Sequence, residues 1–172
     1  MENIPAAVAP AANNAYEVPA QTRIGHVHLQ VTDLDKALGF YCGVLGFKLM
    51  LRFGPQAAFV SAGGYHHHIG LNTWNSLGGP RARKQGAGLY HTAIVYATRA
   101  ELAGALKQLV AADYPITGAA DHGVSEAIYL DDPDGNGVEL YWDRPREQWP
   151  VSADGELQMY TRALDLNAML AE

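Results

Sequence analysis

Two stretches decide the fold of this chain: Ile24-Gly25-His26-Val27-His28-Leu29-Gln30-Val31 and Gly88-Leu89-Tyr90-His91-Thr92-Ala93-Ile94-Val95. Each reads as a short strand followed by a polar break and an apolar-periodic stretch. That stretch opens on a helix-start signal, Thr32-Asp33-Leu34-Asp35 in the first case and Thr98-Arg99-Ala100-Glu101 in the second. His26 stands six residues before Thr32 and His91 seven before Thr98, so a ligand-type side chain recurs at the same point of each copy within one residue. A tandem repeat with a metal site shared between its halves is the reading that follows.

The rest of each copy extends outward from these strands. In the first, Asp35 to Leu45 predicts a helix stopped by Gly46, with strands over 47–52, 57–62 and 66–74, the last two joined through Gly63-Gly64. In the second, 99–112 predicts a helix and Tyr114-Pro115-Ile116 starts a strand. Residues 124–131 then pair with 138–143 across Asp132-Pro133-Asp134-Gly135-Asn136-Gly137. Asp132, Asp134 and Asn136 superficially resemble a calcium loop, but Pro133 and the alternating pattern of 138–142 suit a hairpin turn. The order strand, helix, three strands occurs twice, which gives an α+β protein. Its parts divide as a flexible arm (1–21), a first βαβββ module (22–76), a linker (77–87), a second module (88–146) and a tail (147–172) that offers a short helix at 163–170.

Composition narrows the partners. The chain has 172 residues, 48% of them hydrophobic, enough for one core shared by two small modules. A net charge of −6 leaves no basic face for phosphates, so nucleic acid and anionic membranes are unsuitable partners, and a small molecule or another copy of the chain suits it better. No apolar run is long enough to span a bilayer, and the Ala- and Pro-rich start lacks the pattern of a signal peptide, which favours a cytoplasmic protein. The single cysteine, Cys42, lies in an apolar stretch and reads as an inert, buried thiol.

Strand alternation assigns the site. His26, His28 and Gln30 share one face of the first strand while Val27, Leu29 and Val31 share the other; in the last strand Glu139 and Tyr141 oppose Val138, Leu140 and Trp142. His26, His91 and Glu139 thus form a two-histidine, one-carboxylate set that leaves coordination positions open and suits Fe(II), with Mn(II) or Zn(II) as alternatives. An isolated histidine is more often a hydrogen-bonded, half-buried side chain, but three matched positions in a repeat favour the metal. In Tyr65-His66-His67-His68-Ile69-Gly70-Leu71, alternation puts His66, His68 and Gly70 on one face, making His68 the candidate acid–base residue and His67 the weaker choice. His122, on a loop before a strand, is either a substrate contact or an ordinary turn residue. Tyr129 is either core or a hydroxyl turned into the cavity.

These segments, together with Phe40-Tyr41, Val44-Leu45-Gly46-Phe47 and the run from Asp132 to Tyr141, resemble the vicinal-oxygen-chelate superfamily of glyoxalases, fosfomycin-resistance enzymes, bleomycin-binding proteins and type I extradiol dioxygenases, over about residues 22–146. The resemblance implies two βαβββ modules in a cupped, mostly antiparallel sheet around a metal held by His26, His91 and Glu139. It is nearest to catechol 2,3-dioxygenase-like enzymes. It therefore implies an Fe(II)-dependent ring-cleaving reaction of a small aromatic diol with O2, as in aromatic catabolism, with His68 as acid–base residue and Tyr129 and His122 hydrogen-bonding the reacting oxygens. Extradiol enzymes often carry two pairs of modules and this chain one, which points to a homodimer or higher homo-oligomer, with modules pairing either within a chain or across subunits. The competing readings are a glyoxalase-like isomerase, a fosfomycin-type transferase and a metal-free binding protein. The first expects a second glutamate where Gly70 stands.

Overall fold

A computed structural model describes residues 16–82 and 85–172, so most of the arm expected at 1–21 lies outside the described residues. Strand β1 (Val27–Gln30) leads into helix α1 (Leu34–Leu38). Asp33 caps α1, its carboxylate accepting the backbone N–H groups of Asp35 and Lys36. Thr32, which opens the helix-start signal and stands where Thr98 caps the second helix, does not cap α1 and instead turns its hydroxyl and N–H to Asp134. The helix then widens into a π-helical turn (Gly39–Val44), where Leu45 N–H donates to the Phe40 carbonyl. This widening buries both Phe40 and Tyr41. Strands β2 (Lys48–Phe53), β3 (Ala57–Ser61) and β4 (Ile69–Asn72) complete a four-stranded sheet in the order β1-β4-β3-β2.

The second half repeats the plan. After β5 (Thr92–Tyr96) comes α2 (Arg99–Ala111), opened by a capping box in which the Thr98 hydroxyl accepts Glu101 N–H and the Glu101 carboxylate accepts Thr98 N–H. Strands β6 (Ile116–Asp121), β7 (Ser125–Asp131) and β8 (Gly137–Asp143) follow. A late two-residue strand, β9 (Arg162–Ala163), joins the sheet beside β6, giving β5-β8-β7-β6-β9. The first strand of each half pairs in parallel with the last, β1 with β4 and β5 with β8, and the other pairings are antiparallel. The fold is α+β, with two curved, open mixed sheets.

One hydrophobic core serves both halves. Val31, Phe40, Tyr41, Ile69 and Leu71 from the first pack in the same cluster as Leu102, Leu106, Ile128, Leu130 and Leu140 from the second. The β7–β8 turn is the polar rivet between them. The Asp132 carboxylate, 1% exposed, accepts the Tyr41 hydroxyl at 3.1 Å and, within the turn, the N–H groups of Asp134 and Asn136. With the Asp134 carboxylate spent on Thr32, the acidic turn is self-satisfied as a hairpin. The expected C-terminal helix is α3 (Leu166–Leu170), whose Met169 is fully buried against the core.

Candidate active site

His91 stands immediately before β5, and Glu139 lies in β8 opposite Ala93 on one side and Tyr129 on the other. This register brings four of the side chains singled out from the sequence into one line. His91 Nε2 lies 3.0 Å from Glu139 Oε2, and Glu139 Oε1 accepts the Tyr129 hydroxyl at 2.9 Å. The same hydroxyl lies 2.7 Å from His122 Nε2. Burial, followed by the hydrogen bond to Glu139 and its charge, pushes the Tyr129 phenol well above its ordinary value, so it remains a proton donor at neutral pH.

The other candidates gather on the first sheet. His26 stands immediately before β1, the same place that His91 holds before β5. Its ring lies 4.4 Å from that of His67, which in turn packs at 5.0 Å on Phe59. His28 sits over Gly70 between Phe59 and Trp74, at 5.9 and 5.5 Å. Desolvation, reinforced by His26, holds both His28 and His67 below the usual imidazole value. His68 points elsewhere: its Nδ1 lies 3.0 Å from the Ser61 hydroxyl and 3.3 Å from Ala62 N–H.

The alternation assigned to the histidine run therefore does not extend over it. Strand β4 begins only at Ile69, and the connection after Ser61 turns through Gly63 and Gly64, both at positive φ, so residues 66–68 are not on a pleat. His67 rather than His68 meets His26. Alternation could not decide between His67 and His68, because strand onset shifts by a few residues with the length of the preceding turn.

Two half-sites result, His26 with His67 on one sheet and His91 with Glu139 on the other. Among the described residues no three of His, Cys, Asp or Glu converge to hold a metal ion within one chain. The second half-site nonetheless fits a divalent cation. Two adjacent ligands about 2.1 Å from a metal and at right angles to each other stand about 3.0 Å apart, the separation of His91 Nε2 and Glu139 Oε2. A neutral imidazole and a carboxylate are also the donor set that such ions take. His91 and Glu139 side chains are 31% and 13% exposed, half sheltered and still reachable.

Comparison with known proteins agrees with this architecture. The profile of the glyoxalase/bleomycin resistance protein/dioxygenase superfamily matches residues 23–140. A catechol-2,3-dioxygenase of Bacillus subtilis (strain 168) is 38% identical over 151 residues, 88% of this chain and 52% of its own length. A biphenyl-2,3-diol 1,2-dioxygenase of Rhodococcus globerulus is 32% identical over 72% of this chain and 64% of its own. The chain thus spans about half to two thirds of the length of these relatives. A domain of a glyoxylase/bleomycin resistance protein/dioxygenase from Frankia sp. EAN1pec superposes with a TM-score of 0.60 at 23% identity, covering 73% of this chain and all of that one. A repeated strand–helix–three-strand plan, a shared core and a profile match across both halves lead to one conclusion: the chain belongs to the glyoxalase/bleomycin resistance protein/dioxygenase superfamily.

Proposed function

We propose that this protein is an Fe(II)-dependent extradiol dioxygenase that opens the ring of a catechol-type diol with O2, the metal being held by His91 and Glu139 of one copy and His26 of a second. The observation that carries the reading is the line His91–Glu139–Tyr129–His122, in which a ligand-type pair runs directly into a phenol and an imidazole able to donate and accept protons. The dioxygenase names of the Bacillus and Rhodococcus relatives support it.

A divalent iron bound there would supply a Lewis acid for the diol and open positions for diol and O2. Both oxygen atoms of O2 end in the ring-opened product, so no external reductant is consumed. The side chains handle the protons. His67, kept neutral by its surroundings, accepts a hydroxyl proton from the diol and returns it as the ring opens. Tyr129 donates to the developing negative charge, with His122 behind it. Phe59, Trp74 and the exposed Leu51, paired with Phe59 across β2 and β3, supply apolar surface for an aromatic ring.

Gly70 argues against glyoxalase chemistry at this site. A Cβ at residue 70 would lie 2.9 Å from His28 Cγ, so a second glutamate could enter there only by displacing His28. The split ligand set, with β1 and β5 each at an uncovered sheet edge among the described residues, supports a second copy as the source of the missing histidine. Anaerobic loading with Fe(II), followed by O2 and a panel of catechols, tests the function. Oxygen uptake equimolar with catechol and a yellow product are expected; a metal-loaded protein that leaves both diol and O2 untouched would refute it.

A further inference from the structure

The tail beyond residue 140, where the superfamily match ends, returns to the site. Strand β9 pairs Ala163 with Ala120 and Arg162 with Asp121, and Tyr160 N–H donates to the His122 carbonyl at 3.2 Å. Gly123, at φ +81, makes room for this approach, since a Cβ there would stand 2.7 Å from the Tyr160 ring and 2.8 Å from Pro150. The Arg162 guanidinium lies over the same Tyr160 ring at 4.1 Å. The end of the tail is anchored by buried Met169 and by the ion pair of Glu172 with Arg99. Residues 160–163 are therefore held against β6 and the β6–β7 loop that carries His122, and the end of the tail is fixed to the core and to α2.

Its polar contact with that histidine is specific. The Tyr160 carbonyl lies 3.1 Å from His122 Nδ1, and the Thr161 hydroxyl lies 3.3 Å away. A carbonyl can only accept, so the shorter of these contacts is a hydrogen bond only when Nδ1 carries the hydrogen, whereas the Thr161 hydroxyl, which could donate to a bare Nδ1, stands farther off. Proton exchange is then left to Nε2, which faces the Tyr129 hydroxyl. That hydroxyl has one hydrogen and two neighbours that can take it, Glu139 Oε1 and His122 Nε2. When Nε2 is bare it draws the hydrogen from Tyr129; when Nε2 is protonated it donates, and Tyr129 turns its hydrogen to Glu139. Had Nδ1 been bare, Nε2 would be a permanent donor in the neutral ring and could accept nothing from the phenol.

We infer that the C-terminal tail is a positioning element of the site: the Tyr160 carbonyl fixes His122 in its Nδ1–H form, leaving Nε2 as the only nitrogen that exchanges a proton and aiming it at Tyr129. The inference rests on the reading of Tyr129 and His122 as site residues, but its test does not depend on turnover. Histidine-selective ¹⁵N NMR of the full chain, with His122 assigned through His122→Gln, reads the tautomer directly. Wild type is expected in the Nδ1–H form when neutral. Gly123→Ala, which pushes the tail off the loop, should move His122 toward the Nε2–H form and lower kcat by about tenfold to a hundredfold with KM little changed. Should Gly123→Ala fail to fold, Tyr160→Ala loosens the same contact without altering a positive-φ residue, while Thr161→Val keeps the carbonyl and should keep the Nδ1–H form. An Nε2–H tautomer in wild type, or a tautomer unmoved once the tail is displaced, overturns the inference. Wild type in the Nδ1–H form that turns over no catechol refutes the dioxygenase reading and leaves the tail's role standing.

Discussion

Tyr41 shows how much a single side chain carries in this molecule. It is 1% exposed, packs edge-on to Phe40, and donates to the equally buried Asp132, so one hydroxyl ties the first half's helix to the second half's turn. Tyr41→Phe leaves Asp132 Oδ2 with the Asn136 side chain alone and should cost about 1–3 kcal/mol in urea unfolding at neutral pH. The pH dependence follows from the same burial. Desolvation first, then the Asp132 charge, raises the Tyr41 pKa far above that of an unfolded tyrosine, so the folded state holds a proton that the unfolded chain releases near pH 10. Stability contributed by this group is present below pH 10 and falls above it, by about 1.4 kcal/mol per pH unit. Unfolding curves between pH 9 and 11 should show that fall in wild type and a shallower one in Tyr41→Phe. At the site, His67→Ala and His68→Ala should both retain metal, as judged by metal analysis, but only His67→Ala should lose turnover by about two orders of magnitude or more. The reverse result would restore the assignment that strand alternation suggested.

At the scale of elements, the two helix starts separate what a sequence discloses from what it hides. Thr98-Arg99-Ala100-Glu101 announced α2 because a capping box is local: donor and acceptor lie three residues apart and need nothing from the rest of the fold. Thr98→Ala should accordingly cost about 1 kcal/mol, measured as a lower urea midpoint with unchanged slope. Thr32-Asp33-Leu34-Asp35 reads as the same signal with Thr32 as its cap, and the cap is Asp33 instead because Thr32 has a partner 102 residues away, Asp134, that no local pattern discloses. The same distinction runs through the site. The β7–β8 pairing was legible from the turn run and from alternation on both flanks, but the register that sets Tyr129 opposite Glu139 was not, because it depends on Gly137 joining β8 opposite Asp131. The onset of β4 was not, since a glycine-turned connection can consume any of residues 62–68 without breaking the alternation that follows. Strand β9 was invisible for a related reason. Two exposed residues form it, held in place by tail contacts rather than by their own propensity.

For the whole molecule, the decisive feature is that one core joins two half-sites that do not meet in one chain. Tyr41 with Asp132 and Thr32 with Asp134 fix the halves to each other, so a hinge motion that closed one sheet on the other would have to break buried hydrogen bonds. A second copy completes the ligand set without that cost, because the strands that follow His26 and His91, β1 and β5, each lie at an edge of their sheet among the described residues. Neighbouring apolar side chains agree with a covered edge: Ile24 is 94% exposed and Tyr90 88% in the single chain. Complementation then distinguishes sharing across copies from assembly within one. His26→Ala and Glu139→Gln should each abolish Fe(II) binding, since each removes a ligand from every site of its own homodimer. A heterodimer of the two, purified through a different tag on each chain, combines His26 of the Glu139→Gln chain with His91 and Glu139 of the His26→Ala chain. It should recover about half the wild-type metal content, because a twofold arrangement leaves one site intact and the other broken twice. Equilibrium dialysis against Fe(II) under anaerobic conditions measures this directly. A heterodimer as empty as its parents, from a wild type that does bind iron, would mean that all three ligands come from one chain and that its two sheets close on each other after all.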